Sequence, residues 1–91
     1  MKLNYEDLFK KQYKKIKDNN LRIRVTNKIQ KLKQNSNLGK PLRYSHKNHW
    51  SLRVGKYRII YRIENDNIFI ICFDHRKLIY EEILLMFAEF V

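Results

Sequence analysis

The sequence predicts a compact α+β fold: two amphipathic helices on one face of an antiparallel sheet, with a further helix at the C-terminal end. Three observations predict it. Two apolar stripes at helical spacing fill the first 32 residues. Between His49 and Phe73, three short apolar runs are separated by the turn signals Gly55-Lys56 and Glu64-Asn65-Asp66-Asn67, the pattern of a three-strand meander. From Leu78 to Phe90 the apolar spacing becomes helical again.

Met1 to Asn4 reads as a short first strand. Asn4 is placed as the N-cap of the first helix, with Glu6 and Asp7 in the first turn, where acids suit the helix dipole. Tyr5, Leu8, Phe9, Tyr13 and Ile16 form that helix's apolar stripe, and lysines fill its other face. Asp18-Asn19-Asn20 breaks it. Leu21, Val25, Ile29 and Leu32 form the stripe of the second helix. Gly39 and Pro41 then break the chain into a loop or ragged edge strand, residues 41–48.

In the meander, Trp50, Leu52 and Val54 share one face and Ser51 and Arg53 the other. Tyr57, Ile59, Tyr61 and Ile63 oppose Arg58, Ile60 and Arg62 in the same way. Ile68 to Phe73 is apolar on both faces, the mark of a strand buried on both sides. Arg53, Arg58 and Arg62 therefore project from the face away from the helices. The last helix carries two apolar stripes, Ile79, Ile83, Met86, Phe90 and Tyr80, Leu84, Phe87, Val91. One is surplus for a monomer of this size unless the helix lies lengthwise in a groove of the sheet, and it predicts a partner, another protein's amphipathic segment or a second copy.

At 91 residues the chain is expected to be one domain spanning residues 1–91. Its net charge is +11 and its pI about 10.0, a balance that favours a polyanionic partner. The charge is uneven. Residues 1–40 hold 12 Lys/Arg against 3 Asp/Glu, and no acid occurs from Asn19 to Ile63. A lysine-coated surface accounts for the helices; it accounts poorly for arginines inside strands. Cys72 stands alone in an apolar run and reads as a small core residue, with a reducing cytoplasm as the default compartment. The charged N-terminus does not read as a signal peptide, and no apolar run approaches a membrane span, so no membrane partner is expected.

Most catalytic chemistries find no residues here. His46 and His49 form an isolated pair without a third ligand, so no metal is expected. The acids cluster in turns and helix ends, and two glycines cannot build a phosphate-cradling loop. Phosphate chemistry run by cations remains, with no cofactor. RNA supplies its own 2′-OH nucleophile. An enzyme must align it, stabilise the phosphorane and move two protons. Arg53, Arg58, Arg76, Lys77, His75 and Tyr80 fit those roles. On pattern alone, solvated sheet-face arginines, a strand-end His75 and a packing Tyr80 account for the same residues, so a cleavage site and an RNA-binding face both stay open.

The basic helices, the Gly-Lys-Pro-Leu loop at residues 39–42, the run W-S-L-R-V-G-K-Y-R-I-I-Y-R-I at residues 50–63 and D-H-R-K-L-I-Y at residues 74–80 together resemble the RelE/ParE toxin superfamily, closest to its RelE branch. The resemblance covers residues 1–80. It implies a compact α/β domain with an antiparallel sheet, cleavage of mRNA in the ribosomal A site, and neutralisation by a cognate acidic antitoxin. It places functional roles on Arg58, Tyr80 and Arg76, and matches Arg53 to a strand lysine or arginine. Some members carry a second strand lysine where this chain has Ser51, which leaves the general base open among Lys56, Lys77 and His75. Lys28, Lys31, Lys56 and Arg62 are the expected contacts to RNA or ribosome. A gyrase-poisoning toxin of the ParE kind and a non-catalytic RNA-binding relative are the alternative readings.

Overall fold

The computed structural model describes residues 1–42, 48–79 and 81. In chain order the elements are β1 (Lys2–Tyr5), α1 (Asp7–Lys14), α2 (Asn19–Leu32), β2 (Lys40–Pro41), β3 (His49–Val54), β4 (Tyr57–Glu64) and β5 (Asn67–His75). They form two helices and one five-stranded sheet of order β1-β5-β4-β3-β2. The expected α+β class holds. Four strands are antiparallel, as the meander requires, but β1 joins β5 in parallel, Lys2 opposite Asn67 and Tyr5 opposite Ile70. The chain leaves β1 through two helices before it returns to the sheet, and a crossover of that length permits parallel pairing.

The strand assignment of the N-terminus has a consequence for the first helix. Asn4 does not cap it. Its side-chain amide instead bonds Asn67 Oδ1 across β1 and β5, at 3.2 Å. Glu6 takes the cap position without a side-chain hydrogen bond. Asp18 is the stronger signal: its Oδ1 accepts from the Asn20 and Leu21 amides at 2.9 and 3.3 Å, so the break after α1 doubles as the start of α2. Arg22 closes this corner, donating to the carbonyls of Ile16 (2.6 Å) and Lys14 (3.1 Å). Those carbonyls lie at and beyond the end of α1, where helix carbonyls lack partners.

Val25, Ile29 and Leu32 from α2 and Phe9 from α1 pack against Leu52, Val54, Ile59, Tyr61, Ile68 and Ile70 of the sheet. Each fully buried aliphatic side chain contributes about 1.5–3 kcal/mol. Leu8 departs from its expected stripe and is 40% exposed. Tyr61 adds a polar tie. Its hydroxyl donates to Ser36 O and accepts from Gly39 N, each at 2.9 Å, which moors the segment between α2 and β2. Gly39 has no room for a side chain there, since a Cβ would lie 2.6 Å from Ser51 O. Burial raises the Tyr61 pKa, opposed by the Gly39 N–H, and the neutral hydroxyl is the form that can donate to Ser36.

On the sheet's far face, Ile60, Ile71, Cys72 and Ile79 form a second buried cluster. Ile60 pairs with Cys72 but Tyr61 pairs with Ile70, so Ile71 is the extra residue of a β-bulge. Cys72 is buried, as its apolar run predicts. The expected C-terminal helix and its two stripes lie outside the described residues, apart from Leu78, the buried Ile79 and Glu81.

Candidate functional site

The register of the meander sets the cations. Arg53 of β3 stands directly opposite Arg58 of β4, and Arg58 stands opposite Asp74 of β5. Leu52, Val54 and Ile59 are buried in the helix-side core, so strand alternation puts Arg53 and Arg58 on the far face. Like charges directly opposite one another destabilise a sheet. Nothing among the described residues neutralises this pair: both ion pairs found there belong to Arg62. Asp74, the residue opposite Arg58, forms no ion pair with it, and its Oδ1 accepts the His75 amide at 2.7 Å. Arg53 donates Nε–H to Gly55 O at 3.2 Å, leaving its two terminal nitrogens free of that bond.

Beside this pair, two turns meet. The Arg76 amide donates to Lys56 O at 2.8 Å, so the turn after β5 is stitched to the turn between β3 and β4. Lys56, Arg76 and Lys77, all exposed, thus gather at the end of the sheet that carries Arg53 and Arg58. His75 lies opposite Tyr57 and meets its ring edge-on at 5.6 Å between centroids. Its Nδ1 accepts the Lys77 amide at 3.2 Å, which places the proton of the neutral imidazole on Nε2. A ring held in that tautomer offers a donor. To act as a base it would have to give up the Lys77 bond.

Lys28 and Lys31 of α2 do not stand off on a separate face. With Arg24, Asn27, Arg53 and Gly55 they line a groove of about 380 Å³ between α2 and the β3–β4 turn. Arg24 was not singled out in the sequence. Its signal is the spacing Arg24, Lys28, Lys31, one helical stripe inside the acid-free span, with both lysines already candidates.

Arg62 is the site residue that the structure separates from the rest. It lies on the same face, but its guanidinium sits 4.4 Å from the Phe69 ring centroid and pairs with Glu64 (3.3 Å) and Glu6 (3.7 Å). The free basic contact expected of it is taken up internally. Ser51 is buried, and its hydroxyl has no hydrogen-bond partner among the described residues. Tyr80 and His46 lie outside the described residues, and His49 is buried. Among the described residues no three metal-ligating side chains come together, and no helix is long and apolar enough to cross a membrane.

Residues 3–80 match the family described as the ParE toxin of the type II toxin-antitoxin system parDE. No curated protein matches the sequence. Solved structures do. A RelB–RelE antitoxin–toxin complex from Methanococcus jannaschii is similar at 30% identity and a TM-score of 0.70, over 87% of this chain and 96% of the other. A RelBE toxin–antitoxin complex from Mycobacterium tuberculosis is similar at 25% identity and a TM-score of 0.72, over 82% and 96%. A chromosomal ParDE system from Pseudomonas aeruginosa shares the fold at 15% identity and a TM-score of 0.67, over 82% and 95%.

Proposed function

The chain belongs to the ParE toxin family of type II toxin-antitoxin systems, within the RelE/ParE superfamily, and from that premise we propose that it is a RelE-type endoribonuclease, cutting mRNA in the ribosomal A site of the cytoplasm and so stopping translation. The observation that supports this reading most is the directly opposed Arg53–Arg58 pair, neither member of which forms an ion pair among the described residues. A fold gains no stability from such a pair; a phosphate bound across it would gain from both.

The chemistry needs no cofactor. The substrate's 2′-oxygen attacks the adjacent phosphorus, the P–O5′ bond breaks, and a 2′,3′-cyclic phosphate and a 5′-hydroxyl result. Arg58 and Arg53 stabilise the charge on the phosphorane oxygens, and Arg76 adds a third cation from the neighbouring turn. His75, in its imidazolium form and with the Lys77 amide released from Nδ1, can give the proton to the leaving 5′-oxygen. Lys56 and Lys77 remain for removal of the 2′-OH proton. Tyr80, by its family resemblance, stacks on or contacts the RNA. An acidic antitoxin would cover the cationic face, as charge complementarity favours; the M. jannaschii relative is an antitoxin–toxin complex.

Toeprinting of a translated mRNA with purified protein tests the reading. Codon-phased cuts that vanish in Arg58→Ala are expected. Intact mRNA together with blocked DNA supercoiling would favour gyrase poisoning, the reading that the ParE family description and the ParDE fold match keep in play.

A further inference from the structure

The groove between α2 and the β3–β4 turn adjoins the Arg53–Arg58 pair, and Arg53 belongs to both. Four cations line it, Arg24, Lys28, Lys31 and Arg53, with the Asn27 amide as a neutral hydrogen-bonding group and no carboxylate. One of them lies against the turn. Gly55 has φ +59°, a conformation that favours glycine, and Arg24 Nη2 comes within 2.7 Å of where a Cβ would stand. Arg22, two residues earlier on the same helix, shows the contrast. It is consumed by the Ile16 and Lys14 carbonyls and lies over the Tyr13 ring at 5.2 Å. Neither Arg24 nor either lysine has an ion pair among the described residues.

We infer that this groove binds the phosphodiester backbone of the substrate strand itself, seating nucleotides next to the one cut at Arg53 and Arg58. The inference rests on the endoribonuclease reading, and it changes the part given to α2. Lysines on a helix suggest remote docking on ribosomal RNA. A groove that shares Arg53 with the reaction site instead continues the path of the mRNA. Arg24 and Arg53 supply planar forks for phosphate oxygens, Lys28 and Lys31 supply point charges, and no base is read.

Two experiments test it. The first measures binding of a 12-nucleotide single-stranded RNA by fluorescence anisotropy across a salt series, with no ribosome present. Arg24→Gln combined with Lys28→Gln is compared with Lys10→Gln combined with Lys14→Gln, which removes equal charge from α1. The groove variant is expected to lose about tenfold or more in affinity and to flatten the log K against log salt slope by about 1.4, at ~0.7 per phosphate on single strands. The α1 variant should lose markedly less. Equal losses would show diffuse attraction to a +11 chain and overturn the groove. This arm stands whether or not the protein cuts RNA, so a failed toeprint and a failed groove are separate results.

The second experiment separates the two sources of phosphate. Lys31→Cys, exposed while Cys72 is buried, is labelled with a photoactivatable crosslinker and bound to mRNA-programmed ribosomes. Crosslinks to mRNA beside the A-site codon are expected. Crosslinks to ribosomal RNA alone, or to ribosomal protein alone, would overturn the assignment to the substrate strand.

Discussion

On the face of the sheet turned away from the helices, the two ends of β4 treat their arginines in opposite ways. Arg62 is stacked on Phe69 and held by Glu64 and Glu6. Arg58, four residues back on the same strand, meets Arg53 across the ladder and forms no ion pair with Asp74, its partner on the other side. Both residues read alike in the sequence, as alternate cations in an apolar strand. The difference teaches where this fold uses cationic charge internally and where it leaves charge for a partner. A neutralised arginine is part of the structure. An arginine held against a second arginine is tolerated only at a cost, which bound phosphate would offset.

The comparison is broken or sharpened by substitution. Arg58→Ala carries the largest expected effect. Loss of one preorganised donor to a developing oxyanion costs about 10²- to 10³-fold in rate, and removal of like-charge repulsion should leave the melting temperature unchanged or slightly raised. Single-turnover cleavage on programmed ribosomes, beside a thermal melt, reads both. Full activity in this variant would remove Arg58 from the site.

Tyr61→Phe comes next, on stability alone. It strands the Gly39 amide and the Ser36 carbonyl, at about 1–3 kcal/mol for a polar group left unsatisfied. Its sign with pH is also determined. The Tyr61 pKa is raised in the folded chain, so its contribution is fully present below the unfolded value of about 10 and is lost as pH rises above it. Urea unfolding from pH 8 to 11 should show a steeper fall in the wild type than in Tyr61→Phe. Parallel curves would mean that Tyr61 ionises alike in both states.

Arg62→Ala should have the smallest effect, and of the opposite kind to Arg58→Ala. Its partly exposed ion pairs are worth about 0.2–1 kcal/mol each and its ring contact about 0.5–1 kcal/mol, so the melting temperature drops slightly and cleavage stays close to wild type. A variant that melts normally yet fails to cut would reverse the assignment and place Arg62 on the RNA.

Much of this was legible from the sequence alone, for a local reason. Apolar stripes and strand alternation are set by backbone periods of 3.6 and 2.0 residues, which depend on neighbours within a turn or a pleat. Leu21, Val25, Ile29 and Leu32 are buried as their spacing requires, and Arg53 and Arg58 fall on the far face because Leu52 and Ile59 must face the core. The candidate site was legible in the same way, as residue types at strand positions. Asn4 shows the limit: a good cap residue was drawn into β1 by Asn67, a partner 63 residues away.

What only the tertiary structure decided concerns pairs that are remote in sequence. The opposition of Arg53 to Arg58 is the local exception, set by a two-residue turn and the register it imposes. The quenching of Arg62 by Glu6 depends on β1 running parallel beside β5, which no local pattern specifies. The seat of Arg24 on Gly55 depends on α2 crossing the β3–β4 turn at the point where a side chain is missing. Sequence periodicity tells which face a cation leaves the backbone from. Whether it then meets a carboxylate, a ring, another cation or open solvent is set by chain segments tens of residues apart, brought together by burial of the apolar core.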